Sequence, residues 1–222
     1  MSVSQVAIFG AGGLGREVAE VLRDAAAAGQ PLAPLGFVVD AAYDAPAPMH
    51  GLPVWRDVEA VLRGDPAVSI IIALGDPARR AEAARRVEVL VGQRFATLIH
   101  PRAWVGGTVT VGVGSVVFGF SSITADVTLG RHVLVNPGVT IAHDCQVGDF
   151  VSIGPSAALA GGVVVEDGAE LGVGARVMPR CRIGHLAFVG AGAVVIGDVE
   201  AGRTVVGVPA RPLARRHEPT AR

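Results

Sequence analysis

From Val105 onward every sixth residue is a branched aliphatic: Val105, Val111, Val117, Ile123, Leu129, Val135, Ile141, Val147, Ile153, Leu159, Val165, Leu171, Val177, Ile183, Val189 and Val195. Four places after each comes a small or β-branched residue, such as Val109, Ser115, Val127, Cys145, Ala157, Ala175 or Ala193. One place after it glycine is frequent, as at Gly106, Gly112, Gly130, Gly148, Gly154, Gly172, Gly184 and Gly190. Neither the alternation of a lone strand nor the period of a helix gives a six-residue register. The pattern predicts a solenoid in which each hexad supplies one short strand and a corner. The large aliphatic points inward, the small residue fits the crowded corner, and glycine relieves the turn. Three hexads close one triangular coil, so the run from Val105 to Val194 makes about five coils and residues 18 apart become neighbours.

The first hundred residues follow a different pattern. Val6 to Phe9 reads as a buried strand, followed by Gly10-Ala11-Gly12-Gly13-Leu14-Gly15 and an amphipathic helix with Val18, Val21 and Leu22 on its apolar side. Gly36 to Asp40 and Ser69 to Ala73 read as further strands, Asp57 to Arg63 as a short helix. Pro77 to Val91 forms a longer helix, with Asp76 as its N-cap and Pro77 in its first turn. These elements predict a small α/β Rossmann-like unit over residues 1–100, the solenoid over 101–211, and a basic tail over 212–222.

Composition narrows the functional classes. Half of the 222 residues are apolar and 18% are charged, which excludes a disordered chain. A formal net charge of -1 supplies no basic field for nucleic acid, and no apolar run is long enough to span a bilayer. Cys145 and Cys181 lie 36 residues apart, two coils. At about 4.8 Å per strand they are too distant for a disulfide, so both are expected to be free thiols in a reducing, cytoplasmic compartment.

The candidate chemistry sits at a few corners. His143 occupies the third place of its hexad, between two inward positions, and should project outward. An imidazole, with its ordinary pKa of about 6.5, is suited to general-base work at neutral pH. Asp144 is placed to orient it if the backbone turns a corner there, since successive strand residues point apart. Gly161 follows His143 by one coil, which brings its N–H near the base as an oxyanion donor. Gly10, Gly12 and Gly15 fit G-x-G-x-x-G between a strand and a helix, the context of a phosphate at a helix N-terminus. The α/β unit stops near residue 100, short of a dinucleotide-binding sheet. His100 is read as a hinge residue, and His50, His132, His185 and His217 as surface.

The chain resembles the bacterial sugar-nucleotide N-acetyltransferases of the PglD, PerB and NeuD-like group. The likeness rests on the glycine loop, Ile99-His100-Pro101, Ala142-His143-Asp144-Cys145, Leu159-Ala160-Gly161-Gly162 and Val206-Gly207-Val208-Pro209-Ala210-Arg211 around the unbroken hexads. This resemblance implies a left-handed parallel β-helix, a homotrimer, acetyl-CoA as cosubstrate and no metal. It implies His143 as base, Asp144 as its orienting carboxylate and Gly161 as oxyanion donor. The coenzyme is expected along Ser152, Gly161, Val173 and Ala191, with Pro209 and Arg211 at its adenine end. The sugar nucleotide is expected at Gly12, Gly13, Leu14, Asp40 and Gly75. Members such as PglD carry His where this chain has Leu14 and Ser152, so the acceptor is expected to differ from a UDP-bacillosamine precursor, with a GDP-perosamine-like sugar preferred and UDP- or dTDP-linked amino sugars open. A sugar O-acetyltransferase keeps the same fold and base. A zinc lyase needs three converging imidazoles, which the spacing of His132, His143 and His185 does not align, and a non-catalytic nucleotide-binding scaffold remains a third reading.

Overall fold

The computed structural model describes residues 3–40 and 43–213. Arg215, Arg216 and His217 of the basic tail lie outside the described residues. Strand β1 (Ser4–Phe9) leads into helix α1 (Gly13–Ala27) and strand β2 (Leu32–Val38). Strand β3 (Val54–Trp55), helix α2 (Val58–Gly64), strand β4 (Ser69–Ile72) and helix α3 (Pro77–Val91) follow. The sheet is parallel throughout in the order β3-β2-β1-β4. Its centre, β1, is covered on both sides. Val6 and Ile8 pack with Val18 and Leu22 of α1, while Ala7 and Phe9 pack with Val58 and Val61 of α2 and Val87 of α3. The strand expected at 36–40 begins earlier, at Leu32, and β3 carried no readable signal because it is only two residues long.

The hexads form a triangular prism of two-residue strands. Three ladders rise along it, beginning at Leu98–Ile99, Trp104–Val105 and Thr110–Val111, with partners 18 residues apart throughout the regular coils. The first prism strand is therefore Leu98–Ile99, one hexad ahead of the aliphatic run. Inside, Ile123, Ile141, Leu159, Val177 and Val195 stack on one face with no more than 2% exposure. Fully burying each such side chain is worth about 1.5–3 kcal/mol, against about 1 kcal/mol net for a ladder hydrogen bond, so the aliphatic stack dominates the prism's stability.

The corners correct one expectation. The glycines after the inward aliphatics are not the turn residues. A Cβ at Gly106 would lie 1.9 Å from the Thr124 carbonyl oxygen, and one at Gly172 would lie 2.6 Å from the Ala191 nitrogen. They are glycines because the next coil stacks directly on them. The left-handed turn comes two residues later, at Gly114, Gly138, Gly162, Gly174 and Gly192, and also at Phe120, His132, Asp144, Phe150 and Arg180, with φ between 54° and 78° across these corners. A polar residue held there has its side chain swung back over the preceding corner.

The α/β unit sits on the ladder that begins at Leu98. Outward-facing Leu98, Val116 and Leu134 join the α1 core, and Gln30 donates to the Ile99 carbonyl at 3.1 Å. His100 is tied to Asp24 of α1 at 3.1 Å and accepts from the Arg102 N–H at 2.9 Å, so it is a cross-link between the two units. His132, expected at the surface, is instead 1% exposed between Phe95 and Phe150, at 4.7 and 5.1 Å between ring centroids. The second unit packs onto its corner, which the hexad pattern does not record. Both its ring nitrogens are buried without a partner.

Candidate active site

His143 and Asp144 lie at the corner between the ladders that begin at Trp104 and Thr110. Asp144 has φ 61°, and that left-handed turn brings its carboxylate back to the neighbouring ring. Asp144 Oδ2 is 2.7 Å from His143 Nδ1. A carboxylate only accepts, so Nδ1 carries the hydrogen and Nε2 presents its lone pair. The imidazole is 68% exposed and lies across Gly161 one coil away. A Cβ added to Gly161 would stand 2.6 Å from Cε1 and 2.7 Å from Nε2. Glycine at 161 is therefore what permits this ring position. The Gly162 N–H is used by the His143 carbonyl at 2.8 Å, whereas the Gly161 N–H has no backbone partner among the described residues. An oriented imidazole beside a free amide donor is the minimal equipment for acyl transfer.

This arrangement yields a direct test. Gly161→Ala forces the ring to swing, and misplacing a catalytic group by about 1 Å costs up to about 10²-fold. Thiol-release kinetics should show kcat reduced by about 10–10²-fold, with the melting temperature nearly unchanged because the ring that the new methyl displaces is mostly exposed and free to move.

The residues expected at the coenzyme fall on another edge of the prism. Val173 is 57% exposed at the corner between the ladders that begin at Leu98 and Trp104, and exposed Ala191 stands one coil along the same edge. Pro209 is exposed near the end of that edge, and Arg211 lines a cleft of about 460 Å³ with Ile196, Arg203 and Ala210. Ser152 departs from the expectation. It is 5% exposed beneath the α/β unit, its hydroxyl donating to the Gly75 carbonyl at 2.8 Å and accepting from Arg80 at 2.9 Å. It lies on the ladder face that docks α3, so its hydroxyl is already taken up and offers nothing to a coenzyme on the open edge.

The glycine loop, by contrast, opens onto a cleft of about 330 Å³. Gly12, Gly13, Leu14, Asp40 and Gly75 all line it, joined by Tyr43 and Arg79. The glycines divide the work. Gly10 takes φ 116°, and a Cβ on Gly15 would lie 2.0 Å from the Gly10 carbonyl oxygen, whereas nothing lies within 4 Å of a Cβ on Gly12 or Gly13. The first pair serves the chain's own packing and the second leaves room for a ligand. Helix α1 starts at this point with no side-chain cap and no acidic residue in its first turn, which suits an anion. Asp40 is held by Arg86 at 2.6 Å.

Two cations escaped the sequence reading. Arg79 faces the cleft, and its side chain has no hydrogen bond or ion pair among the described residues. Arg80 is 2% exposed and makes six hydrogen bonds, reaching the carbonyls of Leu74, Gly75, His132, Phe150 and Val151 and the Ser152 hydroxyl at 2.7–3.2 Å. Burial lowers its guanidinium to about 10, against Glu170 and Asp76, which act the other way, so it stays charged at neutral pH. A signal for it existed. Position 80 lies on the apolar stripe of α3 with Ala83, Ala84, Val87 and Val91, where a charge is out of place.

A hexapeptide-repeat β-helix carrying an outward, carboxylate-oriented histidine defines the class of the acyltransferases built on this repeat. Residues 5–87 match the PglD N-terminal domain, and residues 126–161 match the bacterial transferase hexapeptide of six repeats. A perosamine N-acetyltransferase from Caulobacter crescentus, crystallised with CoA and GDP-perosamine as a histidine-to-asparagine variant, is 36% identical over 96% of this chain and 98% of its own, with a TM-score of 0.84. The acetyltransferase domain of PglB from Neisseria gonorrhoeae FA1090, in complex with acetyl coenzyme A, is 32% identical over 96% and 100%, with a TM-score of 0.83. WeeI from Acinetobacter baumannii AYE is 28% identical over 95% and 100%, with a TM-score of 0.84. A comparison with curated protein sequences returned no match. The chain belongs to the PglD/PerB-like group of hexapeptide-repeat acyltransferases, and it is an acetyl-CoA-dependent acetyltransferase. Among the described residues no three His, Cys, Asp or Glu side chains converge as a metal site, and no helix is long and apolar enough to cross a membrane.

Proposed function

We propose that this protein transfers the acetyl group of acetyl-CoA to the amino group of a nucleotide-linked 4-amino-4,6-dideoxy sugar, with a GDP-perosamine-like sugar as the preferred acceptor, in the synthesis of a surface polysaccharide or glycan. The observation that carries it is the His143 imidazole, oriented by Asp144 with Nε2 open beside the free Gly161 amide. Its relative from Caulobacter crescentus was crystallised with GDP-perosamine, and the cleft at Gly12 and Gly13 has room for a ligand at an uncapped helix N-terminus.

In the reaction His143 Nε2 takes the amine proton as nitrogen attacks the thioester carbonyl. The Gly161 N–H holds the oxyanion. Collapse expels coenzyme A, which leaves as the thiol on taking the proton back from the imidazolium. Val173, Ala191, Pro209 and Arg211 hold the coenzyme, while Gly12, Gly13, Leu14, Asp40 and Gly75 hold the sugar nucleotide.

The protein works as a homotrimer, a reading supported by where these groups lie. His143 occupies the prism edge opposite the face that carries the α/β unit, and Val173 and Ala191 occupy a different edge. Neighbouring copies then bring base and coenzyme together, each site drawing on two prisms. The buried thiols of Cys145 and Cys181 fit a reducing cytoplasm.

Release of free thiol from acetyl-CoA, measured against GDP-, UDP- and dTDP-linked 4-amino sugars, tests the reading. Turnover is expected with one nucleotide-linked amino sugar. Turnover with hydroxyl acceptors alone would make the protein an O-acetyltransferase, and silence on both panels would make it a scaffold.

A further inference from the structure

We propose that Arg80 is a positioning residue that turns the Gly75 and Asp76 backbone N–H groups toward the glycine-loop cleft, where they bind the phosphates of the sugar nucleotide. The proposal rests on the reading of that cleft as the nucleotide-sugar pocket.

The geometry begins with two carbonyls. Arg80 Nη1 takes the Leu74 carbonyl at 2.7 Å and the Gly75 carbonyl at 2.9 Å, and the Ser152 hydroxyl takes the Gly75 carbonyl as well, at 2.8 Å. Both oxygens are thereby drawn toward the prism. The cis peptides among the described residues are Ala47-Pro48 and Val208-Pro209, so the peptides joining 74 to 75 and 75 to 76 are trans. In a trans peptide N–H and C=O point in opposite directions. Fixing the two carbonyls on Arg80 therefore turns the N–H groups of Gly75 and Asp76 away from the prism. Gly75 lines the cleft and Asp76 follows it, and neither the Gly75 nor the Asp76 N–H has a protein partner among the described residues. Two successive free amides form an anion-binding concavity. The uncapped start of α1 and the Arg79 side chain, unpaired among the described residues, line the same cleft.

Arg80 is itself locked from the far side. Its Nε and Nη2 hold the carbonyls of His132, Phe150 and Val151 on the prism. The loop that would grip the phosphates is thus registered against the β-helix rather than against its own domain alone. A cation that is 2% exposed and spends its donors on backbone oxygens of both units is placed to set geometry. It does not reach the ligand.

The test is titration calorimetry of the full-length protein with GDP, UDP and guanosine, with coenzyme A as the control ligand. Arg80→Met should weaken nucleoside diphosphate binding by about tenfold or more, and Ser152→Ala by severalfold. Guanosine and coenzyme A affinities should not move, and Arg80→Lys should recover only part of the loss. With acceptor at hand, the same variants should raise KM for the sugar nucleotide more than they lower kcat. If Arg80→Met fails to fold, Ser152→Ala decides. Unchanged GDP and UDP affinity in Ser152→Ala, equal losses for guanosine, or wild-type protein that binds neither diphosphate would overturn the proposal. Wild-type protein that binds GDP yet acetylates no amino sugar would overturn the acetyl-transfer reading instead, and the variants' GDP affinities would still decide this one.

Discussion

Replacing His143 by Asn is expected to lower kcat by about 10²–10⁴ while leaving coenzyme A affinity and the melting temperature where they are. The size follows from what is lost and what remains. The substitution removes the one group beside Gly161 that can take the amine proton, but it leaves the Gly161 amide and the bound geometry, which sustain residual turnover. Stability is spared because the ring is 68% exposed and its hydrogen bond to Asp144 is solvated on both sides, a setting in which such contacts contribute little. Asp144→Asn should cost less, about 10–10²-fold, because it loosens the tautomer and orientation without removing the base. Thiol-release kinetics with the preferred acceptor, alongside calorimetry with coenzyme A, checks both. Wild-type rates in His143→Asn would assign the base elsewhere.

The second large effect concerns acid stability. Burial, with Arg131 and Arg80 nearby, lowers the His132 imidazole to about 4, while Glu88 acts the other way. Unfolding returns it to its ordinary value of about 6.5, so between these values the unfolded chain binds the extra proton and stability falls as pH falls. This contribution amounts to about 3 kcal/mol, present in full above pH 6.5 and gone by pH 4. Glu88 and Glu166 are held below the ordinary carboxylate range by Arg131 and Arg182 and lose their contribution at lower pH, whereas burial pushes the Glu170 carboxyl up and its protonation acts the other way, so it is the comparison with a non-titrating variant that isolates the imidazole. His132→Phe keeps a ring between Phe95 and Phe150 but cannot titrate. Denaturant midpoints from pH 7.5 to 5 should fall for the wild type and stay nearly level for this variant. Parallel slopes in the two proteins would remove His132 from the acid response.

Much of this was legible because hexads are a local code. Each coil buries the same two positions, so Val105 to Val195 reports its register residue by residue, and His143 and Gly161 follow as one-coil neighbours. The pairing of Asp144 with His143 was readable only as a condition, a corner at that point, which the left-handed φ at 144 meets. His132 was misplaced for a simple reason. It is an outward position of the prism, and outward means exposed only until a second unit is laid over it. The corner glycines were given the wrong task because a single coil does not show the next coil's backbone pressing on them.

By itself, then, the sequence determined the repeat, the two-unit organisation, the glycine loop and the position of the His143 imidazole, since these depend on neighbours along the chain or one coil away. Only the tertiary structure decided which prism face the α/β unit covers, that Arg80 is buried there with its donors shared between both units, and that His143 lies on a different corner of the prism from Val173 and Ala191. Those are contacts between surfaces far apart in sequence. They depend on how whole faces dock, and no local period encodes that.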